Sequence, residues 1–397
     1  MSIPQHLLET LRKETPGTEH VTHLNNAGAS LLSSPVYEAV KSYEKHELIT
    51  GGYEAALDYD SELEATYDSV GRLIGADREE IALAENATYA WHQAFHSWTW
   101  KKGDNVVTSH TEYATNFISL LQIKEQYGVE IRIAEGAEDG SASPENIRRL
   151  IDASTKMIVL THIPTNSGLV NPAEEIGKIA EEAGVIYLLD ACQSVGQYPV
   201  DVKALRCDML SATGRKFLRA PRGTGFLYVK KERIRELKPK FLDLHGAEWT
   251  SDSEYKVRKD ARKFENWESN KALTLGLKAA ADYAMSIGMD NIWNRIKSLA
   301  GDFRSRLEQE VHGLTIHDTG EVKGGIITFT MENSDCEAIK QYLSSRKINV
   351  SVSHKSSTYL DMNKRSLKAV VRASVHYYNN ETDLEKLIMG LIQFQKA

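Results

Sequence analysis

A chain of 397 residues, 41% of them hydrophobic, has material for a large core and is too long for one ordinary domain, so two domains are expected. With 55 acidic against 48 basic residues the formal net charge is −7 at pH 7, and no basic run stands out, which argues against a nucleic-acid partner. The opening MSIPQHLLETLRKETPG lacks the apolar core of a signal peptide and no run of about eighteen apolar residues occurs, so neither secretion nor a membrane partner is expected and cytoplasmic residence is the default. Cys192, Cys207 and Cys336 match neither a zinc spacing nor a disulfide framework, which fits reduced surroundings.

In chain order, ENAT (85–88) opens a helix YAWHQAFHSW, and short apolar runs then alternate with helical patterns. NVVTS (105–109), EIRIA (130–134), KMIVLTHI (156–163), VIYLLD (185–190), DMLSAT (208–213) and GFLYVKK (225–231) read as strands, most of them apolar on both faces. Between them NFISLLQIKEQYG, SPENIRRLIDAS and NPAEEIGKIAEEAG read as helices; the last takes Asn171 as N-cap and Pro172 as first helical residue and ends near Gly184. That alternation predicts an α/β domain with a mainly parallel sheet. The charged segment 235–265 reads as a surface connection. KALTLGLKAAADYAMSIG and MDNIWNRIKSLAGDFRSRLEQEV read as long amphipathic helices, GGIITFTM and INVSVS as strands, and ETDLEKLIMGLIQFQ as a closing helix, which makes the last third a smaller α+β domain. The expected division is a segment 1–20 packing on the small domain, a large domain 21–260 and a small domain 261–397.

Ligands of open parallel sheets bind at the carboxyl ends of the strands, so the residues just after each run are the candidates. Asp190 ends one run and is followed by Cys192, Gln193 and Ser194; Thr213 ends another and is followed by Arg215 and Lys216. Ala87 and Thr88 begin the helix after ENAT, where free backbone N–H groups and the positive end of a dipole suit a phosphate. An acid, a lysine and an anion site are what pyridoxal phosphate requires: the lysine forms a Schiff base, the carboxylate keeps the pyridine nitrogen protonated, and the phosphate anchors the ring. Each residue also has a plain structural use. Asp190 suits a helix N-cap, Lys216 a stem packed along the sheet, Arg219 and Arg222 surface charge, and Tyr113 a half-buried aromatic position. Arg372 suits a structural ion pair, and His92 and His96 stand four apart with no third metal ligand in view. A binding module with little turnover has no need of Lys216, and no GxGxxG follows any strand, which removes the phosphate loop of a nicotinamide-dependent dehydrogenase.

LNNAGAS (24–30), ENATYA (85–90), SHTEYATNF (109–117), THIPTNSGLVNP (161–172), DACQSVGQYPVDV (190–202), SATGRKFLRAPRGTGFLYV (211–229) and VRASVHYYNNETDLEKL (371–387) together resemble the class V aminotransferase family of fold type I pyridoxal phosphate enzymes. The resemblance implies a large domain with a mainly parallel, seven-stranded type of sheet and a smaller C-terminal α+β domain. It implies Lys216 as the Schiff-base lysine, Asp190 as partner of the pyridine nitrogen and Gln193 as donor to the ring hydroxyl. Ala87, Thr88, Thr213 and Arg215 are implied at the phosphate, Tyr113 on the ring face, and Arg372 at the substrate carboxylate, a bidentate task for which lysine is poorly shaped. Asn25 and either Thr165 or Asn166 are implied near the substrate or a ring oxygen. A homodimer with shared sites is also implied, Trp267 to Asn270 reaching toward the neighbour's phosphate.

Two departures bear on the reaction. Desulfurases of the family carry a loop cysteine that takes sulfur from the substrate, and SVSHKSSTYLDM (351–362) has none; Cys192 lies in the cofactor motif and reads as a packed thiol. Glu268 in FENWESN stands where the desulfurase pattern has threonine, and the segment looks closer to the lyase and epimerase branches. The resemblance thereby favours β-elimination at a carbon–sulfur bond of an amino acid, after Lys216, displaced from the aldimine, removes the α proton. Desulfurase activity is disfavoured, and an aminotransferase on a small amino acid or an epimerase remains the alternative.

Overall fold

In the strand Thr155–Thr161, Ile158 and Leu160 point to one face and Met157 and Val159 to the other, and all four are buried. The strand Ile186–Asp190 repeats this with Tyr187 and Leu189 against Ile186 and Leu188. Side chains alternate across a strand, so a run apolar at every position is stable only in a sheet covered on both sides. A computed structural model, which describes residues 3–396, has this arrangement. Seven strands lie in the order Ile81–Ala84, Gly225–Val229, Met209–Thr213, Ile186–Asp190, Thr155–Thr161, Asn105–Ser109, Glu130–Ala134. All neighbours are parallel apart from Gly225–Val229, which runs antiparallel to both of its own. Helices Ala87–His96 and Ala114–Tyr127 cover one face with Trp91, Phe95, Leu120 and Ile123; Asp60–Ile74, Ala173–Ala183 and Lys271–Ile287 cover the other. The expected α/β class with a mainly parallel sheet is what the chain adopts.

The last third holds a four-stranded antiparallel sheet in the order Leu314–Ile316, Ile326–Met331, Ala369–Ser374, Ser351–His354. INVSVS is divided: Ile348–Asn349 pairs in parallel with Thr22–His23 near the N-terminus, and Ser351–His354 is the edge of the small sheet. Helix Lys271–Ile287 packs on Ser34–Thr50 and Asp60–Ile74. Gly276 permits that approach, since a Cβ there would lie 2.6 Å from Pro221 and 2.7 Å from Val40. Near the N-terminus, Arg12 of helix Gln5–Lys13 pairs with Asp383 at 2.9 Å and donates to the Tyr378 carbonyl.

Three local readings need correction. The helix expected from Asn171 starts at Ala173 with Pro172 as its cap; the Asn171 amide is buried instead, donating to Thr161 O at 2.7 Å and Thr111 Oγ1 at 3.1 Å and accepting from Ala142 N at 2.8 Å. The strand GFLYVKK stops at Val229, because Lys231 already begins the short helix Lys231–Ile234. The segment 235–265 is more than a connection: Ala247–Ser251 and Glu254–Val257 form an exposed antiparallel hairpin, and Ala261, Lys263 and Phe264 are buried after it. The Lys263 amine donates to the carbonyls of Ile234 and Leu237, and burial lowers its pKa to about 8.

Arg219 also departs from its surface reading. It is 1% exposed, and its guanidinium donates to Leu31 O at 2.9 Å, Thr15 Oγ1 at 2.7 Å and Tyr377 OH at 2.5 Å while lying 4.6 Å from the Tyr378 ring centre. It does so from a left-handed backbone, φ +62°, a region that favours glycine, so its contacts outweigh local strain. One side chain thereby joins the N-terminal segment, the loop after Lys216 and the C-terminal region. Truncation takes the donor from the Leu31 carbonyl and the Tyr377 hydroxyl and leaves the Thr15 hydroxyl only its bond to Leu11 O: Arg219→Ala is expected to lower the unfolding free energy by about 3 kcal/mol in urea denaturation, and a loss below about 1 kcal/mol would contradict the anchoring role.

Candidate active site

Strands Thr155–Thr161 and Ile186–Asp190 end beside the N-termini of helices Ala87–His96 and Ala114–Tyr127, and a small pocket opens where they meet. Of the residues singled out in the sequence, Ala87, Thr88, Tyr113, Thr165, Asp190, Gln193 and Lys216 line it. Asn116 and Thr161, which the sequence reading missed, line it too.

Asp190 is the last residue of its strand and is buried. Its Oδ1 accepts from the Cys192 backbone N–H and its Oδ2 from Asn116 Nδ2, each at 2.9 Å. No helix starts after it, so the carboxylate caps nothing and is left facing the pocket. Glu112 lies behind Asn116 and accepts from it, from the Tyr113 N–H and from Thr161. The sequence reading missed the pair; its signal is the spacing of Glu112 and Asn116, four residues apart around a helix start.

Lys216 is half-buried in the pocket wall, and among the described residues no carboxylate lies within ion-pair distance of its amine. Burial lowers its pKa; Cys192 and Asp190 oppose that effect, and Arg215 and Arg372 reinforce it. The neutral amine is therefore more populated near neutral pH than on an exposed lysine.

The phosphate candidates divide. Helix Ala87–His96 is capped by Asn86, whose side chain accepts from the Tyr89 N–H at 2.9 Å, and the first amides of the helix have no intrahelical acceptor. Gly225 passes close beneath: a Cβ there would lie 2.9 Å from Asn86 C and 3.1 Å from Ala87 N. Thr213 sits at its strand end with Oγ1 3.4 Å from Thr224 O, and the Arg215 guanidinium donates to Gly28 O; neither lines the pocket. Gln193 donates to Ala27 O at 3.1 Å and Thr165 Oγ1 at 3.4 Å, while its Oε1 is buried without a partner.

Arg372 reaches the site from a central strand of the small sheet. Its Nη1 donates to Thr165 Oγ1 at 2.5 Å and its Nε to Ser351 Oγ at 3.1 Å, and among the described residues it has no acidic partner, which corrects the ion-pair alternative. Burial lowers its pKa to about 10. The choice left open between Thr165 and Asn166 divides the same way: Thr165 faces the pocket, and Asn166 turns from it to bond Ser353 and Thr358 of the small domain. Asn25 joins Ser374 by a backbone bridge, and its Oδ1 is buried without a partner. The segment 351–362 folds as the edge strand, a turn and helix Tyr359–Lys364; none of the three thiols lies in it, and the Cys192 thiol, nearest to Asp190, is pushed well up in pKa by burial.

A large domain with this sheet order, a smaller antiparallel domain and a lysine facing a buried acid at the strand ends define the fold type I architecture of pyridoxal phosphate enzymes. The sequence pattern of the Aminotransferase class-V family matches residues 22–387, and the chain belongs to that family. It is 29% identical over 387 residues to a probable cysteine desulfurase of Methanothermobacter thermautotrophicus, covering 96% of both chains, and 27% identical to one of Pyrococcus abyssi, covering 98% of both. The apo cysteine desulfurase of Thermococcus onnurineus NA1 superposes with a TM-score of 0.91 at 25% identity over 100% of this chain and 99% of that one. The cystine C–S lyase C-DES, solved with cysteine persulfide, shares the fold with a TM-score of 0.85 at 20% identity, over 95% of this chain and 98% of that one.

Gly225 gives the site a steric test. Gly225→Ala places a methyl against Ala212 O at 2.7 Å and the helix start, and is expected to cost about 2 kcal/mol of stability in chemical denaturation; an unchanged midpoint would show that the helix start is not held there.

Proposed function

We propose that this chain is a pyridoxal phosphate-dependent lyase that breaks a carbon–sulfur bond of an amino acid by β-elimination, working as a homodimer. The donor set supports the cofactor. Lys216 is an amine without a counter-ion, Asp190 a buried acid facing the pocket, and Gln193 Oε1 an unmet buried acceptor. The phosphate is assigned to the amides of Ala87 and Thr88, with Thr88, Thr213 and Arg215 beside them. When bound, pyridoxal phosphate supplies an electron sink that stabilises negative charge on the substrate's α carbon.

The protein's own groups divide the remaining work. Asp190, held by Asn116 and the Cys192 N–H, keeps a proton at the ring nitrogen. Tyr113 covers the ring face. Arg372 keeps its Nη2 donors for the substrate carboxylate because its other donors are committed to Thr165 and Ser351. That grip puts the α carbon beside Lys216, whose Nζ, lowered in pKa by burial, takes the α proton. The β carbon–sulfur bond then breaks with its electron pair going to sulfur, which takes the proton held by Lys216 Nζ and leaves as a thiol, and hydrolysis of the unsaturated remainder gives pyruvate and ammonia.

The observation that carries this reading is the absence of a thiol from the segment 351–362 that packs beside Asn166 and Arg372. A second reading, cysteine desulfurase, is favoured by the names of the relatives matched over nearly the whole chain. The two differ in product: elimination releases pyruvate and the sulfur compound, while sulfur transfer to a thiol leaves alanine. Incubation with cysteine, cystine and S-substituted cysteines is expected to give pyruvate equal to the sulfur released, and alanine as the main product would overturn the lyase reading. Lys216→Ala is expected to abolish turnover. Arg372→Ala is expected to raise KM for the amino acid by about 10- to 100-fold, as loss of a charge-assisted hydrogen bond does.

The dimer reading is supported by exposed Leu48, Ile49, Tyr53 and Leu57; Tyr53 and Leu57 line a cavity of about 380 Å³, and Tyr53 also lines an adjoining one with exposed Trp267.

A further inference from the structure

The pocket floor holds a second carboxylate that none of these roles uses. Glu112 and Asn116 are each 3% exposed, at the start of helix Ala114–Tyr127. The Asn116 amide has two hydrogens on Nδ2, and it donates to Glu112 Oε1 and to Asp190 Oδ2, both at 2.9 Å. Glu112 Oε1 also receives the Tyr113 N–H at 2.9 Å and the Thr161 hydroxyl at 2.5 Å, while Oε2 meets Thr108 Oγ1 at 3.3 Å. Asn116 cannot turn from Asp190 without also breaking its bond to Glu112, and Glu112 cannot turn without breaking several.

Charge restricts the arrangement further. Among the described residues no lysine, arginine or histidine pairs with Glu112; the titratable groups that face it are Asp190 across the shared amide and Tyr187 of the adjoining strand. Two ionised carboxylates bridged by one neutral amide would repel strongly in so buried a place. Burial raises the Glu112 pKa, Thr161 and Asn116 oppose it as donors, and Asp190 adds to the rise.

We propose that Glu112 and Asn116 are positioning residues for Asp190: with Glu112 uncharged, the pair aims the Asp190 carboxylate and leaves it the single negative charge of the pocket floor. In that form Glu112 Oε1 is the carbonyl oxygen that takes the three donors, and Oε2–H donates to Thr108 Oγ1. The inference rests on the reading that Asp190 serves the ring nitrogen of pyridoxal phosphate.

The test titrates apo wild type, Glu112→Gln, Glu112→Leu and Asn116→Ala with pyridoxal phosphate, reading the apparent Kd and the pH midpoint of the bound cofactor's absorbance. Glutamine reproduces the donor pattern of a neutral glutamic acid, so Glu112→Gln is expected to hold Kd within about threefold and the midpoint within about 0.3 pH units. Asn116→Ala and Glu112→Leu are expected to weaken binding at least about tenfold and to move the midpoint by about one pH unit, the effect of losing a hydrogen bond to a charged group. Melting of each apo protein reports folding, and Asn116→Ala carries the test if Glu112→Leu does not fold. An unchanged Asn116→Ala, or equal losses in Glu112→Gln and Glu112→Leu, would overturn the clamp while cofactor binding by wild type leaves the site reading intact. Failure of wild type to take up the cofactor would overturn both.

Discussion

The Asp190 carboxyl group lies buried in the pocket, and its hydrogen-bond partners in the protein are neutral dipoles: the Asn116 amide and the Cys192 N–H. A buried carboxylate held in this way costs several kcal/mol unless donors and a positive charge compensate it. The large domain is arranged to meet that demand. The strand Ile186–Asp190 brings the acid to the sheet end, the helix Ala114–Tyr127 brings the amide, and the neighbouring strand brings Thr161 to fix the group behind it. The protonated ring nitrogen of the proposed cofactor supplies the positive charge that the protein withholds. Lys216 has the converse arrangement, an amine near positively charged Arg215 and Arg372 without an acid in contact, and the proposed cofactor satisfies both groups at once.

The parts of the fold legible in the sequence are those whose burial is two-sided or whose ends carry a special residue. Strands such as Thr155–Thr161 read clearly because their central run, Met157 to Leu160, is apolar on both faces, and the end of helix Ala173–Ala183 read clearly because Gly184 takes the left-handed conformation there. The hairpin Ala247–Val257 did not, since it is exposed on both faces and so carries no apolar period. Asn171 has the composition of a helix cap, yet its amide is spent on Thr161 and Ala142, a choice made by tertiary contacts that local pattern does not record.

The site divides in the same manner. Lys216, Asp190, Gln193, Ala87, Thr88 and Tyr113 were legible because they follow strand ends or begin helices, and the pocket collects them. Asn166 beside Thr165 was not separable by sequence, because only the path of the loop decides which neighbour faces inward. Glu112 and Arg219 were missed or misread for a shared reason: charged residues are presumed to face water, and here each is buried by partners distant in sequence.

The central claim is that Lys216 carries pyridoxal phosphate in a pocket whose acid is Asp190. Absorbance of the purified protein before and after borohydride, followed by peptide mass mapping, tests it most directly. The account predicts a yellow protein whose colour is lost on reduction, with the cofactor fixed to the peptide that contains Lys216. A protein that stays colourless after incubation with the cofactor, or an adduct on another lysine, would contradict it.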